Sequence, residues 1–364
     1  MKTRFWRNAL IVPATAWSLM GLARGQDANA DTTPGTPRFV VLAPKPAANA
    51  AQSNVALATA ALPTWNGSFT YSGHNYSYQM VGTAPSTNAS TTVQVYIIPI
   101  KVVITARNGS QTTFDPSHVL SNGKTVIQNT VASPIFDSTT TYVQGGVNVG
   151  TTQYIDAFQR ANFWGTVSSN PNYHLLLGGP TVLAEQTLSP SSRQGTTGRP
   201  FGFTAGEVSI NWFDTQINSL ITKLGIQPNT LPIFLTYDVY LTQGGCCIGG
   251  YHSATGAQAY MHATYVDVVG QFAQDVSALS HEVGEWADDP LLNGGNNSPC
   301  GILEDGDPLE GNPNFGGYPY TVNGFMYNLQ DLVTLPYFGA PASTSVKGFF
   351  TFQGEHLTVC QNGS

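Results

Sequence analysis

The chain has 364 residues, of which only 10% are charged, and a formal net charge of -7. An acidic chain whose few Lys and Arg residues are scattered repels phosphate, which excludes a nucleic-acid partner. Once an N-terminal export signal is set aside, about 330 residues remain, enough to bury a substantial core and to exclude disorder throughout.

That signal is expected at residues 1–30. Lys2, Arg4 and Arg7 precede an apolar run from Ala9 to Ala23, and Ala28-Asn29-Ala30 supplies a small-x-small cleavage site. No later stretch reaches the roughly 20 apolar residues of a membrane helix, so a secreted, extracellular product without a transmembrane segment is expected. Residues 31–62, rich in Ala, Pro, Thr and Asn, read as a linker or pro-segment. Residues 63–364 read as a single large domain, β-rich over 63–150 and carrying a metal site over 200–364.

In the β-rich part, Ser68-Phe69-Thr70-Tyr71 and Val93-Gln94-Val95-Tyr96-Ile97-Ile98 alternate as strands do, and Asn108-Gly109 fits a hairpin turn. Thr151–Val167 has a helical period, as does 211–224 ahead of Gly225. Strands are expected at Leu231–Leu241, with Pro232 at its edge, and at Tyr260–Val269. Between them, 244–256 reads as a Gly-rich loop carrying two cysteines and His252. Phe272–Asp289 is apolar at Phe272, Val276, Leu279, Val283 and Trp286, a helical pattern stopped by Pro290.

Four cysteines, Cys246, Cys247, Cys300 and Cys360, imply two disulfides in an exported chain. A vicinal bridge strains the peptide it spans, so Cys246 and Cys247 are expected to find partners at Cys300 and Cys360 rather than each other.

The main signal is electrostatic. No Lys or Arg occurs between Lys223 and Lys347, yet Glu282, Glu285, Asp288, Asp289, Glu304, Asp305, Asp307 and Glu310 crowd together. Carboxylates gathered without cationic partners repel one another unless solvent or a bound cation relieves them. In His281-Glu282-Val283-Gly284-Glu285 the first and last residues lie one helical turn apart on one face, where both can reach one ion. Glu282 between them can take a proton from activated water, which makes this the HExxH zinc motif with Glu in place of the second His. A third ligand is expected from Glu304 or Asp307, at a spacing that resembles the downstream Glu of thermolysin-like zincins. His252 is a rival ligand or a donor to an oxyanion. Zinc is the expected cofactor, with calcium the alternative because most ligands are oxygens and Asn296 and Asn297 lie near. The plain alternative is that Glu282 and Glu285 are solvated helix carboxylates and that Asp288 and Asp289 flank a helix end. Ser253 and Ser280 each neighbour a His but lie in no nucleophile elbow.

The order Cys247-Ile248-Gly249-Gly250-Tyr251-His252, then His281-Glu282-Val283-Gly284-Glu285 with Asp289-Pro290, then Glu304-Asp305-Gly306-Asp307, resembles the phosphate-induced protein 1, or EXORDIUM-like, family. The resemblance covers roughly residues 230–310 and rests on the HExxE and ExGD elements. It implies an extracellular, cell-wall-associated protein rather than a particular reaction. Pro308 stands where the plant pattern has a Cys after Glu-x-Gly-Asp, so no disulfide scheme transfers.

Two readings result. The first is an α+β, zincin-like fold, with a mixed or antiparallel sheet and an active-site helix, serving a secreted metallopeptidase-like hydrolase. His281, Glu285 and Glu304 or Asp307 hold the metal, Glu282 and His252 are catalytic, and the substrate is a peptide or protein. The second is a non-enzymatic extracellular binding or signalling protein with a structural metal, meeting cell-wall or other extracellular polysaccharide or another protein.

Overall fold

The computed structural model describes residues 36–46, 61–71, 73–292, 303–334, 338–343, 345–346 and 349–354. The expected export signal, most of the expected linker, Asn296, Asn297, Cys300 and Cys360 lie outside these residues.

The chain opens with β1 (Arg38–Val41), within the stretch read as a linker, and then forms a hairpin of β2 (Thr64–Tyr71) and β3 (His74–Val81). Next come the long β4 (Ser90–Thr105), β5 (Gln111–Phe114), α1 (Val126–Val131), the hairpin β6 (Thr141–Gln144) and β7 (Val147–Thr151), α2 (Tyr154–Asn162) and α3 (Trp164–Val167). Short strands follow: β8 (His174–Leu177), β9 (Thr181–Val182), β10 (Gln186–Leu188), β11 (Gly195–Gly198) and β12 (Ala205–Ser209), leading into α4 (Ile210–Leu224). The centre of the molecule is β13 (Thr230–Tyr237), β14 (Val239–Thr242), β15 (Cys246–Thr255), β16 (Gln258–Tyr265) and α5 (Ser277–Asp288). The chain ends in the hairpin β17 (Gly317–Val322) and β18 (Phe325–Gln330), then β19 (Val333–Thr334), β20 (Ser345–Val346) and β21 (Phe349–Thr351).

Twelve of these strands form one mixed sheet, in the order β10-β4-β13-β16-β15-β14-β12-β11, with β1 added to β15 and β5, β8 and β9 added to β4. The central strands β13, β15 and β16 are buried on both faces, so alternate residues enter different cores. In β4, Val93, Val95 and Ile97 join the core under α2 and α5, whereas Ile98, Ile100, Val102 and Ile104 join the core under α4. Helix α4 buries Ile210, Phe213, Ile217, Leu220 and Ile221 at helical spacing and stops at Gly225, whose φ of 65° suits glycine. Helix α5 is buried on every side and packs against β15, β16 and β18.

The expected α+β zincin-like fold with an active-site helix does not form. Strands hold 41% of the described residues and helices 19%, so the described part is mostly β and dominated by a mixed, near-barrel sheet. The reason lies in β4, which pairs with β13 along one edge and with β8, β9, β10 and β5 along the other. Apart from β5, which follows β4 through the expected Asn108-Gly109 turn, those partners are distant in sequence, and periodicity shows that a strand exists without showing what it pairs with. The helix expected from Phe272 begins only at Ser277, because Ala273 and Asp275 take φ values of 61° and 41° that no α-helix accepts.

Two further expectations change. The stretch 244–256 is largely strand β15, paired antiparallel with β16. Its glycines serve close packing instead of a turn: a Cβ on Gly249 would stand 2.9 Å from both Phe39 and Phe272. Cys246 and Cys247 are bonded to each other across a cis peptide, with Cα atoms 3.1 Å apart. The expectation drawn from strain in the spanned peptide, that these two cysteines find other partners, is therefore overturned.

Candidate metal centre

Three segments converge at one end of α5. The helix presents His281, Glu282 and Glu285; β15 brings His252 from the sheet; and the segment that follows Leu303 brings Glu304 and Asp307. This last segment is tied to the C-terminal strands, where Val333 N donates to the Asp305 carbonyl and Gln330 Nε2 to the Gly306 carbonyl. Glycines permit the close approach. A Cβ on Gly250 would stand 2.6 Å from Glu282 Oε1, one on Gly284 2.8 Å from Leu332, and one on Gly306 would collide with the His281 ring.

His252 Nδ1 lies 3.2 Å from Glu282 Oε2 and 3.4 Å from Glu285 Oε2, and its Nε2 lies 3.8 Å from Glu304 Oε2. His281 Nε2 lies 2.9 Å from Glu285 Oε1 and 3.5 Å from Asp307 Oδ1. His252, Glu282 and Glu285 thus form one compact set of donor atoms, and His281, Glu285 and Asp307 another. His252, His281 and Glu282 are wholly buried and Glu285 nearly so, which rules out the plain reading as solvated helix carboxylates.

The donor atoms lack partners. His252 Nε2, both ring nitrogens of His281, Glu282 Oε1, both oxygens of Glu285 and Glu304 Oε2 are buried with no hydrogen bond. Unpaired buried polar atoms of this kind cost on the order of 1–3 kcal/mol each and are rare in native folds. The groups share protons. Burial opposes charge on His252, but Glu282 and Glu285 outweigh it and raise the ring to about 10. Burial also favours a neutral Glu285, but His281 and His252 flank it and hold it at about 2. Glu282 touches only His252 and faces the Glu285 charge, so burial prevails and raises it to about 7. Burial and the neighbouring carboxylates push Glu304 and Asp305 well above the usual range, and burial pushes Glu310 to about 8. Too much negative charge is gathered here for all of it to ionise.

Other sequence candidates take structural roles. Asp288 turns toward α2, where Gln159 Nε2 donates to its carboxylate, and Asp289 is the residue at the C-terminal end of α5 and accepts from Leu292 N. Ser253 Oγ donates to the Leu42 carbonyl, and Ser280 Oγ donates to the Ser277 carbonyl while accepting from Gln330 N, so neither is a free nucleophile. His252 sits in a strand, not in a flexible loop. Its neighbour Tyr251 points to the opposite face and donates to Asp214, which removes that tyrosine from the centre.

Sequence reasoning missed Phe39, whose ring lies on His281 with centroids 4.1 Å apart; Glu310, placed in the acidic cluster without a role, accepts from Phe39 N. Phe39 stood in a stretch read as linker, where an isolated Arg-Phe-Val-Val run was the only signal. Compared with known proteins, the chain matches no family model, no curated protein and no solved structure.

Proposed function

We propose that the chain is a metal-dependent hydrolase whose ion is held by His281, Glu285 and Asp307, with Glu304 at the rim. The observation that carries this is the convergence of two imidazoles and four carboxylates, of which His252, His281, Glu282, Glu285 and Glu304 each bury at least one atom without a hydrogen-bond partner. Mixed imidazole and carboxylate donors suit zinc better than calcium. When bound, zinc supplies a Lewis acid and acidifies water.

The protein's own part is proton handling and placement. Glu282 Oε1 faces the space left by the missing side chain of Gly250 and accepts a proton there. His252 Nδ1 steadies the other oxygen, and the burial that raises Glu282 to about 7 fits an acid-base group working near neutrality. A peptide or protein substrate follows from the carbonyl chemistry. The export signal and the EXORDIUM-like order of motifs support an extracellular setting, which N-terminal sequencing of the mature protein tests.

The depth of the centre supports a second reading, in which the ion is structural and the protein is an extracellular binding protein. One set of measurements separates the two. Mass spectrometry of bound metals should find zinc in the purified chain and less of it in His281→Ala and Glu285→Ala. Glu282→Gln should keep the His281-side ion and lose peptide hydrolysis. Full activity in Glu282→Gln would refute the hydrolytic mechanism. No activity, together with several kcal/mol of stability lost on chelation, would favour the structural ion.

A further inference from the structure

We infer that the centre takes two divalent cations, with Glu285 bridging them; this rests on the metal-centre reading above and specifies it. The two donor sets share one residue, and they use different atoms of it. Glu285 Oε1 lies beside His281 Nε2, and Oε2 lies beside His252 Nδ1. His281, Glu285 and Asp307 enclose one position, and His252, Glu282 and Glu285 the other. A carboxylate that offers one oxygen to each of two positions is the usual bridge between ions roughly 3.5–4 Å apart.

Charge leads to the same number. Four carboxylates, Glu282, Glu285, Glu304 and Asp307, lie within 4.0 Å of an imidazole nitrogen. One divalent ion with two neutral imidazoles leaves a net charge of about -2 in a buried site, which is costly without further protons. Two divalent ions leave it neutral. The unpartnered atoms fall on both sides of the bridge: His281 Nε2 and Glu285 Oε1 on one, Glu285 Oε2 on the other. A single ion in either position would leave the other half of these buried atoms unsatisfied. Glu282 serves both roles, its Oε2 toward the second ion and its Oε1 free to hold a proton.

The test loads the metal-free full chain with Mn²⁺ and counts bound ions by equilibrium dialysis, with electron paramagnetic resonance on the same sample. Two ions per chain and a spin-coupled spectrum are expected, falling to one ion and an uncoupled six-line spectrum in His252→Ala and in His281→Ala. Asp307→Asn, a smaller change, should also bind one. A wild type that binds one ion, lost in both His variants, would overturn the two-ion centre and leave the metal reading standing. A wild type that binds none would overturn both. The wild-type count decides the matter even if a variant fails to fold.

Discussion

Gly306→Ala should damage the centre without touching any ligand. A Cβ at this position would fall 2.7 Å from His281 Cε1 and 3.0 Å from Cγ, and closer still to Nδ1. The ring cannot retreat, because Phe39 lies against it. The acidic segment cannot easily retreat either, since Val333 N and Gln330 Nε2 hold it through the Asp305 and Gly306 carbonyls. Forcing an extra carbon into such a site typically costs about 1–3 kcal/mol, and tilting a ligating ring through its surroundings typically costs about 10–100-fold in metal affinity. Both losses are expected. Gly179→Ala is the control: nothing lies within 4 Å of its added Cβ, and its effect should stay within about 0.5 kcal/mol. Urea unfolding measures the stability, and competition against a chelating dye measures the affinity. If Gly306→Ala bound metal as the wild type does and matched Gly179→Ala in stability, the ring could not be held as described and the packing argument would fail.

Two buried groups outside the centre should tilt stability with pH in opposite directions. Asp238, at the break between β13 and β14, has a buried Oδ1 with no partner, and burial followed by repulsion from Asp267 raises it to about 7. The folded chain therefore binds a proton that the unfolded chain, titrating near 3.9, has released, and stability falls between about pH 4 and 7. Asp238→Asn, which tolerates the φ of 52° found there, should remove roughly 2–3 kcal/mol of that fall between pH 5 and 7; unchanged pH dependence in urea titrations would refute it. His262 is buried against Phe213 and lowered by burial to about 3. Below the unfolded value near 6.5 the unfolded chain takes the proton first, so stability is lost as pH falls. His262→Gln should recover about 2 kcal/mol of the loss between pH 7 and 5, and a variant that declines as steeply as the wild type would count against it.

The parts of the molecule that were legible in the sequence are those fixed by neighbours along the chain. Helix α4 was readable because its apolar spacing and terminal Gly225 are local facts, and the acidic cluster was readable because the absence of Lys and Arg leaves its charge uncompensated in any fold. The HExxE spacing placed His281 and Glu285 on one helical face, and the structure brings Glu304 and Asp307 to that face. The sheet was not legible: a run such as Thr230-Leu231-Pro232-Ile233-Phe234 shows that both faces are buried, but its parallel partners Gln94–Pro99 and 261–265 are set by the global packing. His252 was assigned to a loop for a related reason. Gly249 and Gly250 are turn residues by local rule, and only the approach of Phe39, Phe272 and Glu282 shows why a strand needs them.

The contrast between the two faces of β15 is the strongest argument that the centre is built for a cation. Tyr251 and His252 are consecutive and point opposite ways, as strand geometry requires. Behind Tyr251, the buried Asp214 accepts hydrogen bonds from Tyr251 and Tyr260 and pairs with Lys45. Elsewhere, Asp156 accepts from Thr152, His174 and Leu175 N, and Asp275 from Val276 N and Asn328 N. Each of these three buried carboxylates is met by several donors. On the His252 face Glu285 is met only by imidazole nitrogens, His281 Nε2 at 2.9 Å and His252 Nδ1 at 3.4 Å, and no backbone N–H or hydroxyl among the described residues donates to it. The imidazoles are therefore the main source of positive charge for Glu282, Glu285, Glu304 and Asp307, and no Lys or Arg lies between Lys223 and Lys347 to assist them. A cation ligated by the same lone pairs would relieve that shortage directly, which is why we read the centre as a metal site.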